Sequence, residues 1–93
     1  MKNRLSKKTI ISKSLNSPPV MIGWLDSKGA INEWEFKEEL EPLLPCQCLS
    51  IGFVVEKTKE YTTIAQSVSE TQILGRLTIP NCSINYIKNI KQN

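Results

Sequence analysis

The feature that most restricts the fold of this chain is a stretch of alternating residues near its middle, CLSIGFVVEKTKEYTTIAQSVS. Its first half, Leu49 to Val55, places an apolar side chain at every second position, and this period of two is typical of a β-strand. A short polar turn follows, and a second run rich in β-branched residues begins at Tyr61. The pattern predicts a β-hairpin. Gly52 lies in the middle of the first strand, where a glycine indicates a bulge or a close approach of another backbone.

Three further segments predict β-structure around this hairpin. VMIGWLD contains strand-forming residues and is followed by turn residues, which predicts a strand over Val20–Leu25. QILGRLTIP alternates again and ends at Pro80. The last segment, NCSINYIKNI, predicts a tight turn at Asn81 and then either a short strand or a single helical turn, because its spacing fits both.

A short helix is predicted between the first strand and the hairpin. Asn32 is a good N-cap residue, and Glu33 and Glu35 follow it where negative charge favours the positive end of a helix dipole. EWEFKEELEPLL then repeats apolar residues every three to four positions, as in an amphipathic helix. Pro42 disfavours helical geometry in the residue before it, so the helix is expected to end near Glu41.

With 93 residues, the chain is expected to form one domain with a small core. The prolines of NSPP separate a basic arm, residues 1–19, from a β-barrel domain, residues 20–93. A mainly β (α+β) chain with five short strands can bury their faces by curling into a small barrel. The order predicts an SH3-like barrel with a short helix inserted after the first strand. An Sm-like barrel is the alternative, although Sm proteins usually place their helix before the first strand.

The order of motifs also supports a family resemblance. WLD, then EWEFKEELEPLLPCQCLSIGFVVEKTKEYTTIAQSVSE, and finally GRLTIPNCSINYIKNI resemble a group of small proteins of tailed bacteriophages and prophages. The likeness runs from about Ile22 to Ile90 and leaves the basic arm outside. It implies a phage or prophage origin and supplies no catalytic residues that could be transferred to this chain.

Composition narrows the classes of function. The 40% hydrophobic and 23% charged residues are typical of a soluble globular protein, and no apolar run approaches the roughly 20 residues of a membrane span. The basic N-terminus lacks the apolar stretch of a secretory signal, so we expect an intracellular location with no membrane partner. The resemblance to phage proteins implies that this location is the cytoplasm of a bacterial host, or a virion.

The residues available for chemistry are few. Histidine is absent from the sequence, and with it the commonest general acid/base and zinc ligand. Cys46, Cys48 and Cys82 are an odd number of thiols in a chain without an export signal, and we expect them to be reduced. We therefore expect no enzyme activity, no cofactor and no bound metal.

The candidate binding site is the acidic segment from Asp26 to Glu41, which holds six of the nine acidic residues. Its carboxylates fit a docking surface or a solvated face better than a catalytic pair, because nothing in the sequence makes them converge. The two tryptophans are either exposed anchors for a partner or members of the core. The residues predicted to bind a host or phage protein are Trp24, Trp34, Glu35, Glu38 and Glu39.

Two functions from different classes follow. The first is a non-enzymatic binding module that docks on a host or phage protein, as a host-takeover factor, a counter-defence factor or a small virion component, with a homo-oligomer as a further expectation. The alternative is a barrel that binds nucleic acid or a nucleotide through basic residues and aromatic stacking. The basic residues of this alternative are Lys2, Arg4, Lys7, Lys8, Lys13 and Arg76.

Overall fold

The structure, a computed structural model, describes residues 17–91, so residues 1–16 of the predicted arm lie outside it. The elements described there are five β-strands and two 3₁₀ turns. The strands are β1 (Val20–Asp26), β2 (Cys46–Lys57), β3 (Tyr61–Val68), β4 (Ile73–Pro80) and β5 (Ile84–Asn89), and the 3₁₀ turns are Lys37–Glu39 and Asn81–Ser83. No helix among the described residues is long and apolar enough to cross a bilayer.

The strands form one antiparallel sheet in the order β4-β3-β2-β1-β5. This result confirms the mainly β class and the predicted hairpin between β2 and β3. The final segment, which the sequence left open, is the strand β5, and it returns beside β1 rather than beside its neighbour in sequence, β4. The described pairings leave β4 and β5 as the two edges of the sheet.

Strand β2 joins the two halves of the sheet. Its first half, from Cys46 to Gly52, pairs with β1, and its second half, from Phe53, pairs with β3. Gly52 lies where the pairing changes, and a Cβ there would be 2.8 Å from the backbone oxygen of Ala65. The close approach of another backbone predicted at Gly52 is therefore confirmed. Because any side chain would separate the strands, glycine is what allows β2 to serve both halves.

The core lies on one face of the sheet. The buried residues of its main cluster are Val20, Ile22, Ile64 and Ile79, and the partly buried residues packed against them are Trp24, Val54, Ile84 and Ile87. Val55 and Ala65 are buried as well. On β2 it is Ser50 that lies opposite Ile22 on this face. Leu49 and Ile51, the larger apolar residues of the same strand, are more than half exposed. The alternation of β2 was thus recognised in the sequence, but in the first half of the strand the larger side chains point away from the core.

Polar side chains fix the turns between strands. At the β2–β3 turn, the Thr58 hydroxyl accepts hydrogen bonds from the backbone N–H groups of Glu60 (3.1 Å) and Tyr61 (3.0 Å). Asn81, predicted to form the turn after β4, accepts from the Thr62 hydroxyl at 2.7 Å, and its amide donates to the backbone oxygen of Thr58 at 2.9 Å. Since Thr62 is fully buried, this bond satisfies a hydroxyl that would otherwise lose its hydration. The turn before β5 is thereby tied to the β2–β3 turn.

The helix predicted from Asn32 to near Glu41 is replaced by the single 3₁₀ turn Lys37–Glu39. Phe36, at the N-cap of this turn, has extended backbone angles and makes no side-chain capping bond. A helix of this length is marginal in water unless its apolar face packs on something, and Trp34 and Leu40 of that face are exposed. The amphipathic pattern is present, but the described structure offers it no surface to cover.

Candidate functional site: an exposed aromatic and acidic loop

The connection between β1 and β2, residues 27–45, is the most exposed part of the described chain, and we call it the acidic loop. Every residue from Asp26 to Gln47 is exposed to solvent. Its backbone hydrogen bonds join near neighbours, such as the Glu33 N–H to the Ile31 oxygen at 2.8 Å and the Glu39 N–H to the Phe36 oxygen at 2.9 Å. The loop therefore extends from the sheet without packing on it.

The apolar side chains of the acidic loop face water. Trp34 is 101% exposed, the value of an indole with no neighbours over it. Other large apolar residues of the loop share this exposure: Ile31, Phe36, Leu40, Leu43 and Leu44. Single exposed apolar residues are common in soluble proteins, whereas groups of this size within one segment are typical of interaction surfaces.

A concave surface of about 430 Å³ lies within the acidic loop. It is lined by Ala30, Ile31, Glu33, Trp34, Glu35, Phe36 and Glu39. Indole, phenyl and aliphatic groups supply the apolar part of this lining, and three carboxylates supply the charged part. Small-molecule sites usually enclose most of the ligand surface, and an open hollow of this kind does not. It is better suited to a side chain that protrudes from the surface of a partner protein.

Carboxylates of the acidic loop, among them the predicted binding residues Glu35, Glu38 and Glu39, lie before and within the 3₁₀ turn Lys37–Glu39. Glu33 and Glu35 lie before it, beside Trp34, whereas Glu38 and Glu39 lie within it. All are exposed, and among residues 17–91 no group of three or more cysteine and carboxylate side chains is placed to hold a metal ion. The arrangement gives the loop a negative rim. It is suited to attracting and orienting a positively charged surface.

Trp24, the other predicted aromatic residue, lies in a different environment. It is half-buried on β1, packs against the core, and its indole N–H donates a hydrogen bond to the Ser50 hydroxyl at 3.0 Å. The partner that a buried indole N–H needs is therefore present. The structure does not unite the two tryptophans in one patch: Trp24 supports the sheet, and Trp34 is presented by the loop.

The described part of the predicted basic site is Arg76, which is exposed on the edge strand β4, opposite Ala65. Lys2, Arg4, Lys7, Lys8 and Lys13 lie outside the described residues. Tyr61, an aromatic residue at the start of β3, donates its hydroxyl hydrogen to Glu56 at 3.1 Å. This hydrogen bond raises the pKa of Tyr61 above its ordinary value, with a smaller contribution from desolvation, so the phenol is neutral at pH 7.

The three cysteines are free thiols, and Cys46 and Cys82 are exposed. Desolvation, followed by the charges of Cys46 and Asp26, raises the pKa of Cys48 above its ordinary value. The thiolate is the reactive form of cysteine, and a raised pKa reduces its population at neutral pH. Cys48 is therefore a poor nucleophile, and its hydrogen bond to the Cys46 backbone oxygen, 3.7 Å long, gives it a structural contact.

A second exposed apolar surface was missed by the sequence interpretation. It is formed by Met21, Leu49, Ile51 and Tyr86, and we call it the outer sheet face. Register places Leu49 and Tyr86 on either side of Gly23, and Ile51 beside Met21. The Tyr86 ring lies over Gly23, where a Cβ would collide with it. The alternation of apolar residues does not show which face of a strand is buried, so it did not predict this surface. The signal that the sequence did contain was Gly23 in β1, where a neighbouring aromatic ring can lie over the strand.

Comparison of the chain with protein-family models, with curated protein sequences and with solved structures gave no match. The acidic loop and the outer sheet face must therefore be interpreted from their own chemistry.

Proposed function

We propose that this chain is a non-enzymatic binding module that docks on another protein through the acidic loop. The observation that carries the proposal is the complete exposure of Trp34 beside further exposed apolar residues of the same loop. Burying an indole in a partner is among the largest single contributions to protein association. A binding module needs a surface that is complementary to its partner, and it needs no reacting group. Catalysis usually requires that reacting groups be shielded from water, and the exposed loop gives its side chains no such shielding.

The charge of the loop defines the chemistry of the partner. From Asp26 to Glu41 there are six acidic residues against Lys28 and Lys37. Carboxylates around an apolar centre favour a partner with an apolar knob or pocket ringed by lysine or arginine, because complementary charges raise the association rate and exclude wrong partners. A nucleic-acid backbone passing over this surface would be repelled. The loop therefore favours a basic protein surface as its partner.

The setting of this function is also part of the proposal. The resemblance to small phage and prophage proteins supports a role as a host-takeover factor, a counter-defence factor or a small virion component. The partner is then a host or phage protein, met in the cytoplasm of a bacterial host.

An SH3-like architecture is the finer fold that we propose. Three observations support it: the long connection between β1 and β2, the sharing of β2 between two halves of the sheet, and the 3₁₀ turn Asn81–Ser83 that leads into β5 beside β1. In such an arrangement the two halves bend toward each other around the core. The long first connection is then free to carry recognition residues, because loops on a rigid scaffold vary without loss of the core.

Capture from a bacterial lysate treated with nuclease, followed by binding measurements with the purified partner, tests the proposed function. We expect a nuclease-resistant protein whose affinity falls about tenfold when Glu35→Gln and Glu39→Gln are combined, because two charge-assisted contacts weaken. Glu70→Gln, an exposed acid between β3 and β4, is the matched control and should bind as the wild type does. Capture of nucleic acid, with binding lost steeply in salt, would instead favour the alternative based on Arg76 and the basic arm.

A further inference from the structure

Within residues 17–91, the acidic loop and the outer sheet face are exposed apolar surfaces that differ in shape and charge. The acidic loop is a projection with Trp34 at its centre, and the outer sheet face is a flat patch across three strands. On that face Leu49 and Ile51 are 58% and 56% exposed, and Tyr86 is 41% exposed. Leu49 and Tyr86 lie on either side of Gly23, and the Tyr86 ring covers that glycine, so these side chains share one face of the sheet. The exposure of both apolar surfaces to water is unfavourable in free energy, and burying either surface against a partner would be favourable.

The charges around the two surfaces are opposite. Lys88 lies two residues after Tyr86 on β5, and its ammonium nitrogen is 5.1 Å from the centre of the Tyr86 ring. Among the three strands that form this face, β1, the first half of β2, and β5, the acidic residue is Asp26, at the end where the acidic loop begins. The face is therefore positive at Lys88, at the end away from Asp26, whereas the loop has a negative rim.

In the described conformation, the acidic loop does not pack on the outer sheet face of the same molecule. The acidic loop leaves the sheet after Asp26 and returns at Cys46, and all residues between them are exposed. A second copy of the chain, in contrast, brings the complementary surface in equal amount. Trp34 of one copy can then lie on the apolar patch of another, with the loop carboxylates near Lys88.

We propose that the acidic loop of one copy packs on the outer sheet face of a second copy. The contact joins two different surfaces, so it is made either twice in a two-fold symmetric pair or once per neighbour in a closed ring or an open chain. This inference rests on the proposed function, since it uses the same loop, and it names one partner: the chain itself.

Complementary variants of the full-length protein test this contact. Trp34→Ser removes the loop anchor, and Ile51→Glu places a negative charge on the outer sheet face opposite the acidic loop. Each variant alone is expected to weaken self-association at least about 30-fold, the effect of losing an interface hot spot. Leu74→Glu is the matched control, because Leu74 is 63% exposed on β4, away from both surfaces, and it should assemble as the wild type does. Molar mass is measured by sedimentation velocity.

Mixing the two defective variants gives the sharpest result. The Trp34→Ser copy retains an intact face and the Ile51→Glu copy retains an intact loop, so an equimolar mixture is expected to form a one-to-one dimer and nothing larger. Lys88→Glu is a second face variant, which reverses an exposed charge beside the Tyr86 ring, and its weakened assembly should be restored by Glu35→Lys in the other copy. Wild-type protein that stays monomeric at about 1 mM, where contacts worth roughly 4 kcal/mol would be visible, would overturn the inference. A mixture that forms no dimer would overturn it too.

These variants also separate the inference from the proposed function. If the protein does not self-associate, but Ile51→Glu captures a protein partner and Trp34→Ser does not, the inference fails and the proposed function stands. If Trp34→Ser captures the partner as the wild type does, the proposed function itself fails.

Discussion

Gly52→Val is expected to destabilise the fold by about 3 kcal/mol or more, the upper range for forcing extra atoms into a packed site. The new Cβ would lie 2.8 Å from the Ala65 backbone oxygen and 3.2 Å from the Ile64 side chain. The backbone cannot yield there without breaking the pairing of Phe53 with Ala65, which begins the second half of β2. Since the buried core of the described chain is small and small domains are marginally stable, a loss of this size is a large fraction of the free energy of unfolding. Urea unfolding monitored by circular dichroism measures it.

Gly29→Val is the matched control for this prediction. Gly29 lies in the acidic loop, and a Cβ there would have no atom within 4 Å. Its stability should stay within about 0.5 kcal/mol of the wild type, as for ordinary surface substitutions. If Gly52→Val unfolded at the same urea concentration as Gly29→Val, the result would contradict the close packing at Gly52, where β2 changes its pairing from β1 to β3.

Trp34→Ser is expected to weaken binding of the captured protein partner by about 2 kcal/mol or more, roughly 30-fold in the dissociation constant. The indole has no contacts in the free protein that the substitution could remove, because it is 101% exposed. The free energy of unfolding should therefore change by less than about 0.5 kcal/mol. Titration calorimetry with the purified partner and urea unfolding of the free protein give the two values.

The other tryptophan supplies the contrasting control. Trp24→Phe removes the hydrogen bond from the indole to Ser50 within the packed region of the sheet, and it should reduce stability by about 1 kcal/mol. Its effect on partner binding should be small. The assignment of the two tryptophans would be reversed if Trp24→Phe weakened binding and Trp34→Ser weakened the fold.

The strands could be predicted from the sequence because their signals are local. The alternation from Leu49 to Val55, the proline that ends β4 and the turn residues after β1 each specify extended backbone without reference to the rest of the chain. The glycine at position 52 was also informative, since a mid-strand glycine has few explanations. What alternation could not supply was the buried face, because a strand with Ser50 and Gly52 inward and larger residues outward has the same period.

The helix prediction failed for a related reason. Capping by Asn32 and the spacing of Trp34 and Leu40 are local signals, but a helix of fewer than about 12 residues depends on tertiary packing, which the sequence does not display. The loop was expected to hold a surface of carboxylates, and they are indeed exposed on it. The apolar residues of the loop are exposed because no element of the described structure packs over them. Only the fold could show that, since tertiary packing decides it.

The measurement that tests the docking surface most directly is acrylamide quenching of Trp34 fluorescence in the Trp24→Phe variant, in which Trp34 is the remaining tryptophan. In dilute solution we predict quenching close to that of a free indole, as its complete exposure requires. Addition of the captured partner should reduce the quenching several-fold, because the indole enters a protein interface. A shielded Trp34 in the dilute monomer, or one that stays fully quenchable in the complex, would contradict a loop that presents its tryptophan for docking.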